Sequence, residues 1–155
     1  MNASRSSLPR GGAAHFLGVP MSRTYEGRPS RAYEGQPKVL LCIDDSQAVL
    51  DYERRILERS GYIVVTAVSA RRGLRLATIF SFDAVLLDYH MPEMNGHQVA
   101  YEIRRLRPDT PVVMFSGSEI PEETRQLVDA VVPKAEVPSG LLPTVTRLCE
   151  RSSVD

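Results

Sequence analysis

Five short apolar runs punctuate the chain beyond residue 38: Val39–Ile43, Tyr62–Ala67, Ala84–Leu87, Pro111–Phe115 and Ala130–Val132. Three of them are continuously apolar, without the in/out alternation of a half-exposed strand. That pattern predicts strands buried on both faces, as in a parallel sheet, and their Val, Ile and Phe content suits a pleated core. Between the runs, apolar residues recur at helical spacing. A first helix is predicted over about Ser46–Ser60, with Val49, Tyr52, Ile56 and Leu57 on its apolar face. Asp45 or Ser46 can cap its start, and Gly61 stands where a left-handed cap is wanted. A second helix covers roughly Ala70–Phe80. A third covers Gly96–Leu106, stopped by Pro108, with Val99, Ile103 and Leu106 on one face. A fourth is predicted over Pro121–Asp129, where proline suits the first position and Glu122 and Glu123 suit the positive end of the helix dipole. The last runs over about Gly140–Arg151, with Pro143 confined to its first turn.

Strand and helix thus alternate five times. Right-handed crossovers with helices on both faces make an open, doubly wound α/β sheet. The commonest five-strand solution has the order 2-1-3-4-5, with a ligand crevice between strands 1 and 3.

Residues 1–37 lack this periodicity. They hold five of the ten glycines and four of the eleven prolines, and are expected to form a flexible tail that cannot bury enough surface to offset its ordering entropy. Within them Arg23-Thr24-Tyr25-Glu26-Gly27-Arg28-Pro29 is echoed eight residues later by Arg31-Ala32-Tyr33-Glu34-Gly35-Gln36-Pro37. Two copies that short make no solenoid. They read as a duplicated linker or as a docking motif with Tyr25 and Tyr33 as anchors, and Met21 is an alternative start. Charge follows the same boundary. The chain is neutral overall, but residues 1–37 carry +3 and residues 38–155 carry −3. A chain without net positive charge is not built to grip nucleic acid by bulk charge. The arginines of Arg71-Arg72 and Arg104-Arg105-Arg107 read as solvated helix faces. No apolar stretch reaches the length of a membrane span, and no signal-peptide pattern precedes the domain. Cys42 and Cys149 lie in apolar patterns and read as buried, reduced thiols. Those features together imply the cytoplasm.

The polar residues at the predicted carboxyl ends of strands are chemically selective. Asp44 and Asp45 follow the first strand, Asp88 the third, Ser116 the fourth and Lys134 the fifth. Three clustered carboxylates raise one another's pKa, and a hard divalent cation such as Mg²⁺ relieves that repulsion. One carboxylate can then act as nucleophile on phosphorus, while the cation, an ammonium and a hydroxyl stabilise the equatorial oxygens.

At this point the chain resembles a known family. Val39-Leu40-Leu41-Cys42-Ile43-Asp44-Asp45, Val85-Leu86-Leu87-Asp88-Tyr89-His90-Met91-Pro92-Glu93-Met94-Asn95-Gly96, Val112-Val113-Met114-Phe115-Ser116-Gly117 and Val132-Pro133-Lys134 are similar to the motifs of the receiver domain of two-component response regulators. The resemblance covers residues 38–151, leaving 152–155 as a C-terminal end, and implies the flavodoxin-like (βα)5 fold. It implies that Asp88 is the phosphoacceptor, that Asp45 and Asp88 bind Mg²⁺ directly with Asp44 assisting, and that the backbone carbonyl of His90 completes the protein ligands. Ser116 falls at the family's Thr/Ser switch position and Lys134 at its characteristic lysine, while Pro92 and Gly96 shape the loop after the third strand. Three departures stand out. Val131 replaces the frequent Tyr or Phe three residues before the lysine, the Ser116–Lys134 segment is short, and Ala135 replaces a frequent proline.

The resemblance implies a stand-alone phosphoacceptor signalling protein rather than an enzyme. It would take its phosphoryl group from a histidine kinase or phosphotransfer protein and act by binding a downstream protein, without contacting nucleic acid or membrane. The alternative is a degenerate receiver that binds partners without phosphorylation. An aspartate-nucleophile phosphatase of the haloacid-dehalogenase type is disfavoured, because Asp88-Tyr89-His90 lacks the required second aspartate. His90 sits where the family tunes dephosphorylation, and reads more simply as a loop residue than as a metal ligand paired with His97.

Overall fold

In the computed structural model, which describes residues 35–136 and 139–153, the five apolar runs are five parallel strands. They are β1 (Val39–Ile43), β2 (Ile63–Ala67), β3 (Ala84–Leu87), β4 (Val112–Ser116) and β5 (Ala130–Pro133), in the order β2-β1-β3-β4-β5. The expectations for the tail, including its tyrosines and Met21, lie outside the described residues, apart from 35–37. Side chains alternate across the pleat, so each strand feeds two cores. Leu40, Cys42, Ala84, Leu86, Val113, Phe115 and Val132 face one side, under α1 (Gln47–Arg59) and α5 (Leu141–Arg151). Leu41, Ile43, Val85, Leu87, Val112 and Met114 face the other, under α2 (Ala70–Ile79) and α3 (Gly96–Leu106). Both faces of the central strands are therefore buried, as their continuous apolar runs require.

Caps set the helix starts. Ser46 accepts the Val49 N–H at α1, and Ser69 accepts the Arg72 N–H at α2. Asn95 and Gln98 close a reciprocal capping box at α3, a signature the sequence carries as Asn followed three residues later by Gln. Gly61 leaves α1 with φ +90°, which a residue with a Cβ adopts only with strain. Pro143 sits in the first turn of α5, where its missing N–H has no intrahelical partner to lose.

Three expectations change. The inner stripe of α1 is Leu50, Glu53 and Leu57, while Tyr52 is exposed. Leu57 and Val49 pack there as expected, but the periodicity missed Leu50 and Glu53 because a glutamate occupies the middle of the face. Helix α4 spans only Glu122–Arg125, because Asp129 is drawn into the sheet: its N–H donates to Val112 O and its carboxylate accepts the Val112 N–H. The arginines near 104 are not all solvated. Arg104 donates to the carbonyls of Leu127, Pro108 and Thr110 and pairs with Asp129, and Arg107 donates to the carbonyls of Ala77 and Thr78. These bonds tie α3 to the end of α2 and to the segment leading into β5. Both cysteines are free and buried.

Candidate functional site

Sheet register builds the site. Ile43 pairs with Leu87, so the next residues, Asp44 and Asp88, come side by side at the carboxyl edge. Ser116 pairs with Pro133, which brings Lys134 to the same edge from the far side. Lys134 Nζ donates to Asp44 Oδ2 at 2.7 Å and lies 3.3 Å from Asp88 Oδ1. It also stands 5.7 Å above the centre of the Phe115 ring. Carboxylate oxygens of Asp44, Asp45 and Asp88 all lie within 4.8 Å of one another. Asp44 and Asp88 are buried, whereas Asp45 is exposed at the rim.

The electrostatics follow from this crowding. Burial raises the Asp88 pKa, the neighbouring Asp44 charge raises it further, and Lys134 opposes both. Burial by itself lowers the Lys134 pKa, but the hydrogen bond and charge of Asp44, then those of Asp88, outweigh it and leave Lys134 raised. One ammonium thus faces a cluster of three carboxylates. Three oxygen donors so close together fit a hard divalent cation, which takes carboxylates at short range and fills its remaining positions with water.

The loop after β3 is shaped from behind. A Cβ on Gly96 would stand 2.7 Å from Asp88 O and Tyr89 Cα, so only glycine lets α3 start against the strand end. The Gly96 N–H closes the loop by donating to Tyr89 O at 2.7 Å. Glu93 takes a left-handed conformation, φ 67°.

Ser116 ends β4 almost fully buried, and its hydroxyl accepts the Ser118 N–H at 3.3 Å. His90 reaches across the mouth of the site to the Ser118 hydroxyl at 2.7 Å. His97 is engaged elsewhere, its Nδ1 lying 2.9 Å from Thr124 Oγ1. Val131 packs against the α2/α3 core, so no aromatic ring occupies the position the family often fills. Lys134 opens a short 3₁₀ turn, Lys134–Glu136, where the frequent proline is replaced by Ala135.

One residue beside the site escaped the sequence reading. Glu53 is 2 % exposed, its Oε2 has no hydrogen-bond partner, and its pKa is pushed up to about 8 by burial and then by Asp44. A charged residue three positions from Leu50 and four from Leu57 was the available signal.

The sequence model of the response regulator receiver domain matches residues 40–134. The chain belongs to the response regulator receiver family. The receiver is 32% identical over 122 residues to the transcriptional regulatory protein GlrR of Escherichia coli, covering 76% of this chain and 28% of that protein. It is 31% identical over 123 residues to the response regulator MprA of Mycolicibacterium vanbaalenii, covering 77% and 53%. The chain therefore spans about half or less of these relatives. Among solved structures it is similar to a CheY-like receiver domain protein from Methanospirillum hungatei, with a TM-score of 0.71, 28% identity and coverage of 76% and 98%. It is also similar to the response regulator TrrA of Thermotoga maritima solved in complex with Mg²⁺ and BeF, with a TM-score of 0.69, 26% identity and coverage of 72% and 98%. Among the described residues no helix is long and apolar enough to cross a membrane.

Proposed function

We propose that this receiver accepts a phosphoryl group on Asp88 and signals by phosphorylation-dependent binding of a partner protein. The observation that carries the reading is Lys134 bridging Asp44 and Asp88 at the carboxyl edge. The Asp88 carboxylate attacks phosphorus, an O–P bond forms, and the donor's bond to phosphorus breaks with its electrons leaving on the donor. The Lys134 ammonium pairs with equatorial phosphoryl oxygens, and the Ser116 hydroxyl donates to one of them. Asp45 and Asp88 would hold Mg²⁺, with Asp44 and the His90 backbone carbonyl completing the protein contribution. Held there, the ion would supply positive charge to offset the negative charge developing on the phosphoryl oxygens.

Residues 38–151 form the receiver module in this reading, and residues 1–37 a tail. The donor is a histidine kinase or phosphotransfer protein in the cytoplasm, and the module acts through a protein partner rather than on nucleic acid or membrane. Incubation with acetyl phosphate and Mg²⁺ should add a single phosphoryl group, seen by intact mass, and Asp88→Asn should abolish it. An unlabelled wild type, under conditions that label a control receiver, would favour a phosphorylation-independent binding module. Val131 in place of the aromatic is the observation that favours that second reading.

A further inference from the structure

Glu53 enters the structure from α1, on the stripe Leu50-Glu53-Leu57 that packs against the β1 side of the sheet. The charged residues of the site are in phase with that side. Cys42 on β1, Leu86 on β3 and Val132 on β5 face it, and Asp44, Asp88 and Lys134 each follow two positions later, one residue past the strand end. The side chains that act on Glu53 are the Asp44 and Asp88 carboxylates, the Lys134 ammonium and the Cys42 thiol. On its own helix, the neighbouring Arg54 turns away to Val64 O and Thr66 Oγ1 on β2. Helix α5 offers this core only apolar side chains and the Cys149 thiol. Asp44 spends its two oxygens on the Ser46 N–H and on Lys134, so its action on Glu53 runs through space.

A carboxyl buried this deeply with an orphan oxygen is costly as an anion, and is held instead as the neutral acid. Its surroundings make the cost larger: the nearby carboxylates outnumber the single ammonium. A divalent cation at those carboxylates cancels the local excess of negative charge and inverts the effect. We propose that Glu53 is a proton-exchanging group coupled to the cation site, neutral while the carboxylates face only Lys134 and releasing its proton to solvent when a divalent cation binds. No other atom or electron changes place: the acid becomes a carboxylate and the buffer takes the proton. The inference rests on the cation binding described under Proposed function. By reciprocity, whatever cation binding does to the Glu53 proton, the proton does to cation affinity.

The test is calorimetric titration of the full chain with MgCl₂ at pH 7.5 in two buffers of very different ionisation enthalpy. A fall of one unit in the Glu53 pKa releases roughly half a proton per cation at that pH. Wild type should show that release, and Glu53→Gln should lose most of it. Wild-type binding without proton release overturns the proposal, whether or not any variant folds. Equal release by Glu53→Gln also overturns it, by moving the proton to another group. A second readout is apparent Mg²⁺ affinity against pH. Wild type and Glu53→Gln should agree near pH 6 and separate by up to about tenfold near pH 9, whereas a purely structural role weakens the variant equally at every pH and overturns the coupling. An absence of cation binding in wild type and variant alike sinks the metal reading of the site together with this inference, whereas the outcomes above sink the coupling alone.

Discussion

The two ends of this sheet each carry aspartates one position outside a strand and use them oppositely. At the amino end, Asp83 precedes β3 and accepts the Val39 N–H of β1 at 2.7 Å. Asp129 precedes β5, accepts the Val112 N–H of β4 at 2.7 Å and pairs with Arg104. Each carboxylate there extends the ladder by one bond to a backbone donor that would otherwise be unpaired. At the carboxyl end, Asp44 and Asp88 face each other and share one ammonium, and Glu53 lies behind them with an unpartnered oxygen. The difference teaches where function resides. Asp44 also accepts a backbone N–H, from Ser46; what sets the carboxyl end apart is that its carboxylates crowd together around one ammonium, an excess of negative charge that a cation can relieve. Local rules are broken where chemistry is done.

The largest effect that would break the comparison concerns Glu53. Its folded pKa of about 8 stands above the 4.5 of an ordinary glutamate. Below pH 4.5 both folded and unfolded chains hold the proton, and stability is fully present. As pH rises from about 4.5 to 8 the unfolded chain has lost a proton that the folded chain keeps, so stability falls, by at most roughly 4–5 kcal/mol. Glu53→Leu, which matches its apolar surroundings, should therefore raise stability by about 3 kcal/mol at pH 8 and by much less near pH 5, as read from urea unfolding. A destabilised Glu53→Leu at both pH values would mean that the carboxyl end is as well satisfied as the amino end.

Next comes the amino-end clamp. Arg104→Ala removes donors from three carbonyls and from Asp129, and should cost about 2–3 kcal/mol in the same assay. Phosphorylation by acetyl phosphate at a temperature where the variant remains folded should be unchanged. A loss of phosphorylation without a loss of stability would show that the two ends are coupled. The smallest effect belongs to the Arg71–Glu93 pair, 81% and 69% exposed, where Arg71→Ala should shift stability by less than about 0.5 kcal/mol. A larger shift would place the loop after β3 among the strongly held parts of the molecule.

Five strands and their parallel pairing were legible from runs such as Val39–Ile43, because residues buried on both faces leave an uninterrupted apolar signal; the order β2-β1-β3-β4-β5 was expected only as the commonest arrangement of five such strands, since no local pattern encodes which strands become neighbours. The residues grouped at the carboxyl edge, Asp44, Asp45, Asp88, Ser116 and Lys134, were legible too, since each stands within two positions of a strand end. The full α1 face was not, because periodicity treats a glutamate as a surface residue and Glu53 is in the core. Nor was the end of α4: its length depends on Asp129 pairing with Val112, a contact across seventeen positions.

By itself the sequence determined which segments are strands, which residue types arrive at the carboxyl edge, and which family they belong to, because these follow from local pattern and from short motifs. Tertiary structure alone decided that Lys134 spans two carboxylates ninety and forty-six positions away, that Arg104 is a clamp rather than a surface charge, and that a buried acid stands behind the site. Those outcomes depend on distance in space, on burial and on the competition of charges for one partner, and none of these quantities exists until the strands have paired.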